Sequence, residues 1–153
     1  MQLSSLVPGL NGETGEQPVT GFAIDHRKIA PGNIFGAFRG AKFNGEDFIE
    51  AAVAAGAIAV EGLVHIMDEE PRRLFARMAA RYFTPTPANV AAVTGTNGKT
   101  STAELTRQLW RMDGYSSASI GTLGVTTADD QIKTGLTTPD IVTFLSNMSG
   151  LAR

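Results

Sequence analysis

The sequence predicts an α/β protein made of two units, a small α/β domain over residues 1–86 and the beginning of a second α/β domain over residues 87–153. Short apolar runs of strand length alternate with segments whose apolar residues recur at helical spacing. Between the two units, residues 84–87 (TPTP) cannot continue a helix, because proline lacks an amide hydrogen and biases its predecessor toward extended geometry. We therefore place the domain boundary at this stretch.

In the first unit, residues 19–24 and 34–38 predict short strands separated by a turn at residues 30–33 (APGN). Residues 47–55 predict a helix, because their apolar side chains recur at helical spacing and Asp47 suits the capping position. This part of the chain therefore predicts the order strand, strand, helix.

The rest of the first unit predicts a helix end at Gly56, a strand at residues 57–60 and a second helix at residues 71–83. Proline in the first turn of that helix costs nothing, because the amide there has no helical partner. Its predicted apolar face consists of Leu74, Phe75, Met78 and Tyr82. The passage from Val60 into Glu61 is abrupt for a strand that leads into a helix.

The second unit predicts a buried strand at residues 90–93, a glycine-rich loop, a helix at residues 100–112 and a strand at residues 116–120. The helix carries Leu105, Leu109 and Met112 on one face. A parallel sheet usually has several strands with helices on both faces, and this unit offers only two or three strands. We therefore expect part of its apolar surface to be uncovered.

The glycine-rich loop lies in residues 93–102, VTGTNGKTST. Gly95 and Gly98 permit backbone angles closed to other residues, so that successive amides converge on one anion beside a helix N-terminus. Lys99 would reach the terminal phosphates, and the Thr100 hydroxyl would coordinate the magnesium that accompanies them. This order predicts a nucleoside triphosphate site; the alternative is a tight turn followed by a chance helix cap. The loop is a shortened variant, because Val93 stands where the common form has glycine.

Composition limits the classes of function. The chain has 153 residues, 42% of them hydrophobic, with 13 Lys and Arg against 15 Asp and Glu and a net charge of -2. No basic run suggests a nucleic-acid partner. No cysteine is present, which excludes disulfides and thiolate metal sites and is compatible with the cytoplasm. There is no signal leader and no apolar stretch of about twenty residues, so we expect a soluble protein without a membrane partner.

Three motifs together resemble the Mur ligase family. TGTNGKTST resembles the ATP loop of these ligases and of their folylpolyglutamate synthetase relatives, which activate a carboxylate as an acyl phosphate and join it to an amine. Residues 25–40 (DHRKIAPGNIFGAFRG) and 43–49 (FNGEDFI) look like the uridine-nucleotide-binding domain of the MurE and MurF branches. Residues 119–124 (SIGTLG) and 136–140 (LTTPD) look like the MurE branch.

The resemblance implies an ATP- and Mg2+-dependent cytoplasmic ligase of peptidoglycan synthesis. It would add a diamino acid, commonly meso-diaminopimelate and sometimes lysine, to UDP-MurNAc-L-Ala-D-Glu through an acyl phosphate. Lys99 is the implied catalytic residue and Thr100 the implied metal ligand. The implied ATP-binding residues are Gly95, Thr96, Asn97, Gly98, Lys99, Thr100 and Ser101. Further magnesium ligands and the amino-acid domain of the family follow beyond the position of Arg153, so we expect this chain to be an N-terminal piece without ligation activity alone.

The resemblance also implies a set of substrate-binding residues. They are Ile24, His26, Ala41, Lys42, Phe43, Thr137 and Thr138. His26 stands where the family's Asp-Ser-Arg motif has serine, and an imidazole can still donate a hydrogen bond. The alternative for His26 is a half-exposed strand-end histidine, and for the two threonines a turn before Pro139.

Other polar residues are less specific. Arg27 suits an anion clamp and a structural ion pair equally, and His65 has no partner at metal-ligand spacing, so we interpret it as filler. Ser119 and Thr122 are expected to support the loop beside the nucleotide rather than to touch the substrate. The alternatives to a MurE-type piece are a MurF-type piece, a stand-alone P-loop module or a purely structural domain. The sequence determines neither the oligomeric state nor the choice of diamino acid.

Overall fold

The computed structural model describes residues 1–40, 43–58, 69–133 and 138–153. The chain forms two compact units, Met1–Thr84 and Pro85–Arg153, which divide inside the TPTP stretch. Each unit combines helices with strands, so the predicted α/β class is confirmed. Within the described residues, no helix is both long enough and apolar enough to cross a bilayer.

The first unit is built around a short parallel strand pair. Its elements are α1 (Leu3–Leu6), β1 (Gly21–Ala23), a 3-10 turn (His26–Lys28), β2 (Asn33–Phe35), a second 3-10 turn (Gly45–Phe48), α2 (Ile49–Ala54) and α3 (Pro71–Tyr82). Phe22 of β1 lies opposite Ile34 of β2. The predicted turn at residues 30–33 is confirmed, because the Asn33 amide donates to the Ala30 carbonyl at 3.1 Å and Gly32 has a φ of +86°.

Several predicted elements differ in extent from the observed ones. Both strands are shorter than predicted, and the predicted helix at residues 47–55 divides into the 3-10 turn and α2. Asp47 is not the cap; Asn44 caps the 3-10 turn by accepting a bond from the Glu46 amide. Residues 57–58 are not a strand, although the Ile58 amide donates to the Asn33 carbonyl at 3.0 Å. Residues 59–60 and the junction at 60–61 lie outside the described residues.

The core of the first unit lies between α3 and the strand pair. Phe75 and Met78 of α3 are 3% and 4% exposed, which confirms two members of the predicted face, whereas Leu74 and Tyr82 are half-buried. The rings of Phe22 and Phe75 meet edge to face, with centroids 5.3 Å apart. A smaller cluster of Phe35, Ala52 and Ala57 carries Ile29, Ala37, Phe48, Ile49 and Val53 at its margin.

The second unit pairs two helices with an antiparallel sheet. Its elements are α4 (Lys99–Met112), β3 (Ser119–Gly121), β4 (Gly124–Thr126), β5 (Gln131–Ile132) and α5 (Ile141–Leu151). The predicted helix at residues 100–112 is confirmed as α4, and the predicted strand at 116–120 is displaced to β3. The sheet order is β3-β4-β5 with antiparallel neighbours, so the expectation of a parallel sheet is wrong for the described residues.

The predicted strand at residues 90–93 is not formed. Val90 is 61% exposed, and this segment finds no ladder partner in the described part of the chain. A strand gains its stability from paired backbone groups and side-chain burial, and here both are missing. Apolarity alone therefore misassigned the segment.

The predicted apolar face of α4 is uncovered, as expected. Leu105, Leu109 and Met112 are 59%, 63% and 83% exposed, although their spacing places them on one side of the helix. α4 is held instead by contacts of its polar side with β3 and with the segment that follows β4. The apolar pattern therefore identifies the helix without identifying the side that packs in this structure.

We expect Met78→Ala to destabilise the protein by about 2–5 kcal/mol, because it leaves a cavity in a closed core. Leu109→Ala should change the free energy of unfolding by less than about 0.5 kcal/mol, because that side chain is already solvated. Urea unfolding followed by circular dichroism compares the two variants with the parent protein. Equal losses would contradict this expectation and would mean that the α4 face is covered in solution.

Candidate functional site

The glycine-rich loop turns sharply into α4 through two glycines with positive φ. Gly95 has a φ of +142° and Gly98 a φ of +77°, and Gly98 is the N-cap of the helix. A Cβ built on Gly98 would meet nothing within 4 Å, so the requirement for glycine comes from the backbone angle rather than from space. No described side chain caps this helix start, which leaves its first amides for another acceptor.

Lys99 closes the loop on itself. Its Nζ donates to the carbonyl of Gly95 at 2.5 Å and to that of Thr96 at 3.1 Å. These bonds hold the ammonium group beside the exposed residues of the loop and next to the helix N-terminus, so two sources of positive potential coincide. The arrangement suits an anion with several oxygens.

Thr100 lies directly after Lys99 and is exposed. Its hydroxyl lies 3.3 Å from the hydroxyl of Thr122, in the turn between β3 and β4. Thr122 therefore lies beside the loop, in the supporting place expected for it. The remaining predicted loop residues, Thr96, Asn97 and Ser101, are exposed.

An ion pair between a buried arginine and a half-buried glutamate fixes α4 to the sheet, and sequence reasoning missed it. Arg107 is 8% exposed, and its Nε donates to both carboxylate oxygens of Glu104 at 3.1 and 3.0 Å. Arg107 Nη1 also donates to the Thr127 carbonyl at 3.0 Å, and the Ser119 hydroxyl contacts Glu104 at 3.2 Å. The available signal was the Glu-x-x-Arg spacing, which places both groups on one side of a helix.

This pair changes the titration of its carboxylate. Hydrogen bonds from Arg107 above all, then from Gln108 and Ser119, lower the pKa of Glu104 to about 2. The carboxylate is therefore ionised at neutral pH, and the guanidinium keeps its counterion in a desolvated place.

In the first unit, the predicted uridine-site residues begin directly after β1. Ile24 is 39% exposed, and Asp25 caps the 3-10 turn by accepting from the Arg27 amide. The Arg27 side chain also donates to Asp25 at 2.9 and 2.7 Å, and these bonds hold the pKa of Asp25 well below its usual range. Arg27 thus forms the structural ion pair, the alternative to an anion clamp.

His26 stacks on Phe48. The two rings lie 4.3 Å apart between centroids and within 4° of parallel. This contact brings together the two segments that resemble the family's uridine domain, DHRK and FNGEDFI. Phe43 is 72% exposed and precedes Asn44, which forms an isolated antiparallel bridge with Arg39. Ala41 and Lys42 lie outside the described residues.

The LTTPD segment leads into α5, a helix that the sequence analysis did not predict. Asp140 is its N-cap, accepting from the amides of Val142 and Thr143 at 3.0 Å. Asp directly before the apolar residues Ile141 and Val142 was the signal for this helix start. Thr138 is exposed before the helix, while Thr137 and His65 lie outside the described residues.

The described residues form no metal site made of carboxylates or imidazoles. In residues 1–40, 43–58, 69–133 and 138–153, no group of three or more His, Asp or Glu side chains is arranged to hold an ion. The role of the Thr100 hydroxyl as a magnesium ligand therefore stays a prediction from the sequence.

Comparison with known proteins assigns the class. The description "Mur ligase family, catalytic domain" matches residues 18–107, and "Mur ligase middle domain" matches residues 93–153. The chain belongs to the Mur ligase family.

Its relatives specify a branch. The chain is 59% identical to UDP-N-acetylmuramoyl-L-alanyl-D-glutamate--2,6-diaminopimelate ligase of Zymomonas mobilis, over 95% of this chain and 32% of the relative. The protein of that name from Bradyrhizobium diazoefficiens is 46% identical, over 88% and 30%. A solved structure of a ligase with this name superposes with a TM-score of 0.75 at 27% identity, covering 99% of this chain and 33% of that one. The chain thus spans about a third of the length of these relatives. Their shared name describes the ligation of 2,6-diaminopimelate to UDP-N-acetylmuramoyl-L-alanyl-D-glutamate.

We expect Glu104→Gln to destabilise the protein at pH 7 by on the order of 1–3 kcal/mol, because it removes the charged acceptor of a buried arginine. The pKa of Glu104 is about 2 in the folded protein and ordinarily 4.5, so its stabilisation is present above pH 4.5 and is lost as the pH falls toward 2. The difference in the free energy of unfolding between the variant and the parent should therefore be smaller at pH 3 than at pH 6, because pH 3 lies between the two pKa values.

Denaturant unfolding at several pH values measures this difference, with Glu50→Gln as a control for loss of an exposed carboxylate. A difference that stays constant from neutral to acidic pH would show that the charge of Glu104 contributes nothing to folding.

Proposed function

We propose that this chain provides the substrate-binding and ATP-loop portions of a ligase that adds a diamino acid to UDP-MurNAc-L-Ala-D-Glu in cytoplasmic peptidoglycan synthesis. The observation that carries the proposal is the sequence Gly98-Lys99-Thr100 at an uncapped helix start, in a chain 59% identical to a ligase of that name. The names of the relatives favour 2,6-diaminopimelate as the added amino acid.

The loop residues fit ATP with Mg2+. The positive φ of Gly98 turns the chain so that the first amides of α4 face the loop, and residues 95–101 provide the surrounding backbone. Lys99 would exchange its bonds to the Gly95 and Thr96 carbonyls for phosphate oxygens, and the Thr100 hydroxyl would ligate magnesium. Bound ATP would supply the phosphoryl group that activates the substrate carboxylate, and the loop residues would hold the nucleotide and neutralise its charge together with magnesium.

The first unit would bind the uridine end of the substrate. Ile24, His26 and Phe43 are at least partly exposed, on the connections that follow β1 and precede the Gly45–Phe48 turn. Ala41 and Lys42 precede Phe43 in the chain and belong to the same proposed set. Thr137 and Thr138 would contact the sugar or peptide, a role compatible with the exposure of Thr138.

We expect the chain to bind Mg-ATP with a dependence on Lys99. Lys99→Ala should weaken binding about tenfold to a hundredfold, because it removes charged hydrogen bonds to phosphate. Calorimetric titration measures it, with Lys133→Ala as the matched control that removes an exposed lysine of the same unit. Equal affinity in the parent and in both variants would exclude the phosphate role of the loop.

We also expect saturable binding of UMP and of UDP-MurNAc-L-Ala-D-Glu. His26→Ala, alone and combined with Lys42→Ala, should weaken UMP binding by about threefold to tenfold for each hydrogen bond lost. Mg-ATP titration of the same variants is the internal control, because the ATP loop lies in the other unit. If the chain binds Mg-ATP but neither UMP nor UDP-MurNAc-L-Ala-D-Glu, the result would instead support a stand-alone P-loop module.

A further inference from the structure

One aromatic contact in the first unit involves His26, which stands where the resembled Asp-Ser-Arg motif has serine. The imidazole of His26 lies parallel to the Phe48 ring, with centroids 4.3 Å apart and planes 4° from parallel. Such a stack covers one face of the imidazole, and the side chain as a whole is 30% exposed. The ring is therefore held while part of it stays open to a ligand.

Phe48 is itself fixed by its surroundings. It packs at the margin of the cluster formed by Phe35, Ala52 and Ala57, and it ends the 3-10 turn that leads into α2. The start of that turn is tied down, because the Gly45 amide donates to the Phe38 carbonyl at 2.9 Å. A Cβ on Gly45 would lie 2.6 Å from the Phe38 backbone nitrogen, so the two segments are in close contact. The Phe48 ring is thus a fixed surface.

Asp25 lies beside His26 on a second side. Its Nδ1 lies 4.0 Å from Asp25 Oδ1, and Asp25 is in turn held by the Arg27 amide and guanidinium. With one ring face on Phe48 and the Nδ1 edge toward Asp25, the Nε2 edge is directed away from both. A side chain ordered in this way before a ligand arrives loses less conformational entropy on binding.

We propose that Phe48 is a positioning residue for His26, and that the stacked imidazole presents its free edge and open face to the planar base of a uridine nucleotide. The proposal rests on the proposed function of the first unit. Histidine here replaces the serine of the resembled motif. The Phe48 ring provides a stacking surface that orients the flat imidazole, and a serine side chain would not need such a surface. Phe48 thereby makes the histidine at this position usable for binding.

A double-mutant cycle tests the coupling between the two rings. UMP is titrated into the full chain as the parent, Phe48→Leu, His26→Ser and the double variant. We expect Phe48→Leu to weaken UMP binding threefold to tenfold when residue 26 is histidine and less than twofold when it is serine. Phe48→Tyr, which keeps the aromatic face, should retain parental affinity. The same loss from Phe48→Leu in both backgrounds would assign Phe48 a structural role only and overturn the proposal.

A spectroscopic measurement examines the stack without any ligand. The chain has 2 histidines, so His65→Gln leaves His26 as the single imidazole in the NMR spectrum. The ring current of Phe48 should shift the His26 ring protons upfield, and the shift should be lost in Phe48→Leu and kept in Phe48→Tyr. Ring protons at unstacked positions in a folded parent protein would overturn the proposal.

The two readouts separate the possible failures. If the parent chain does not bind UMP, the proposed uridine function fails and this inference falls with it. If UMP binds and the cycle is additive, the uridine function stands and only the positioning role of Phe48 is lost. Unchanged Mg-ATP binding in each variant establishes that the other unit remains folded and serves as the common control.

Discussion

The position of the glycine-rich loop depends on the ion pair between Glu104 and Arg107. Between one and just over two turns after Lys99, this pair joins α4 to the first residue of β3 and, through the Thr127 carbonyl, to the segment that follows β4. The opposite, apolar side of the helix is exposed, so polar bonds carry the attachment that apolar packing usually provides. A buried guanidinium without its carboxylate would be costly, which makes the register of α4 on the sheet specific. The loop at the N-terminus of the helix inherits that register, and the neighbouring hydroxyls of Thr100 and Thr122 follow from it.

In the first unit, aromatic packing fixes the elements that position the candidate site. Phe75 of α3 contacts Phe22 and Phe38 edge to face, with centroids 5.3 Å apart in both pairs, and so fixes both the β1 strand and the connection after β2. Phe48 packs against the separate cluster of Phe35, Ala52 and Ala57 and stacks on His26. A large ring buries much apolar area with few rotatable bonds, so the strand pair can be very short and still orient the residues at its end.

Local signals predicted most of the helices and the candidate loop. Proline at the start of α3 and the glycine-lysine step at the start of α4 act within one turn of the chain, and both helices begin within a residue of the predicted positions. Residues 90–93 were misassigned because a strand needs a partner that a local pattern cannot reveal. The helix α5 was missed, although Asp140 directly before the apolar residues Ile141 and Val142 carried the capping signal. The stacking of His26 on Phe48 joins residues 22 positions apart, and no periodicity within either segment announces it.

Both candidate sites are nevertheless formed mainly by contacts that are short in sequence. Lys99 bonds to carbonyls three and four residues earlier, and Arg27 bonds to Asp25 two residues before it. Asn44 caps its own turn through the Glu46 amide. Such contacts close small loops at little entropic cost and do not require the apolar face of α4 to be covered. The conformations of the glycine-rich loop and of the His26 turn are therefore properties of their own segments. Long-range contacts of Phe48, Arg107 and Thr122 then orient those preformed segments. Because both the local and the long-range contacts lie within one unit, each unit forms its candidate site from its own residues.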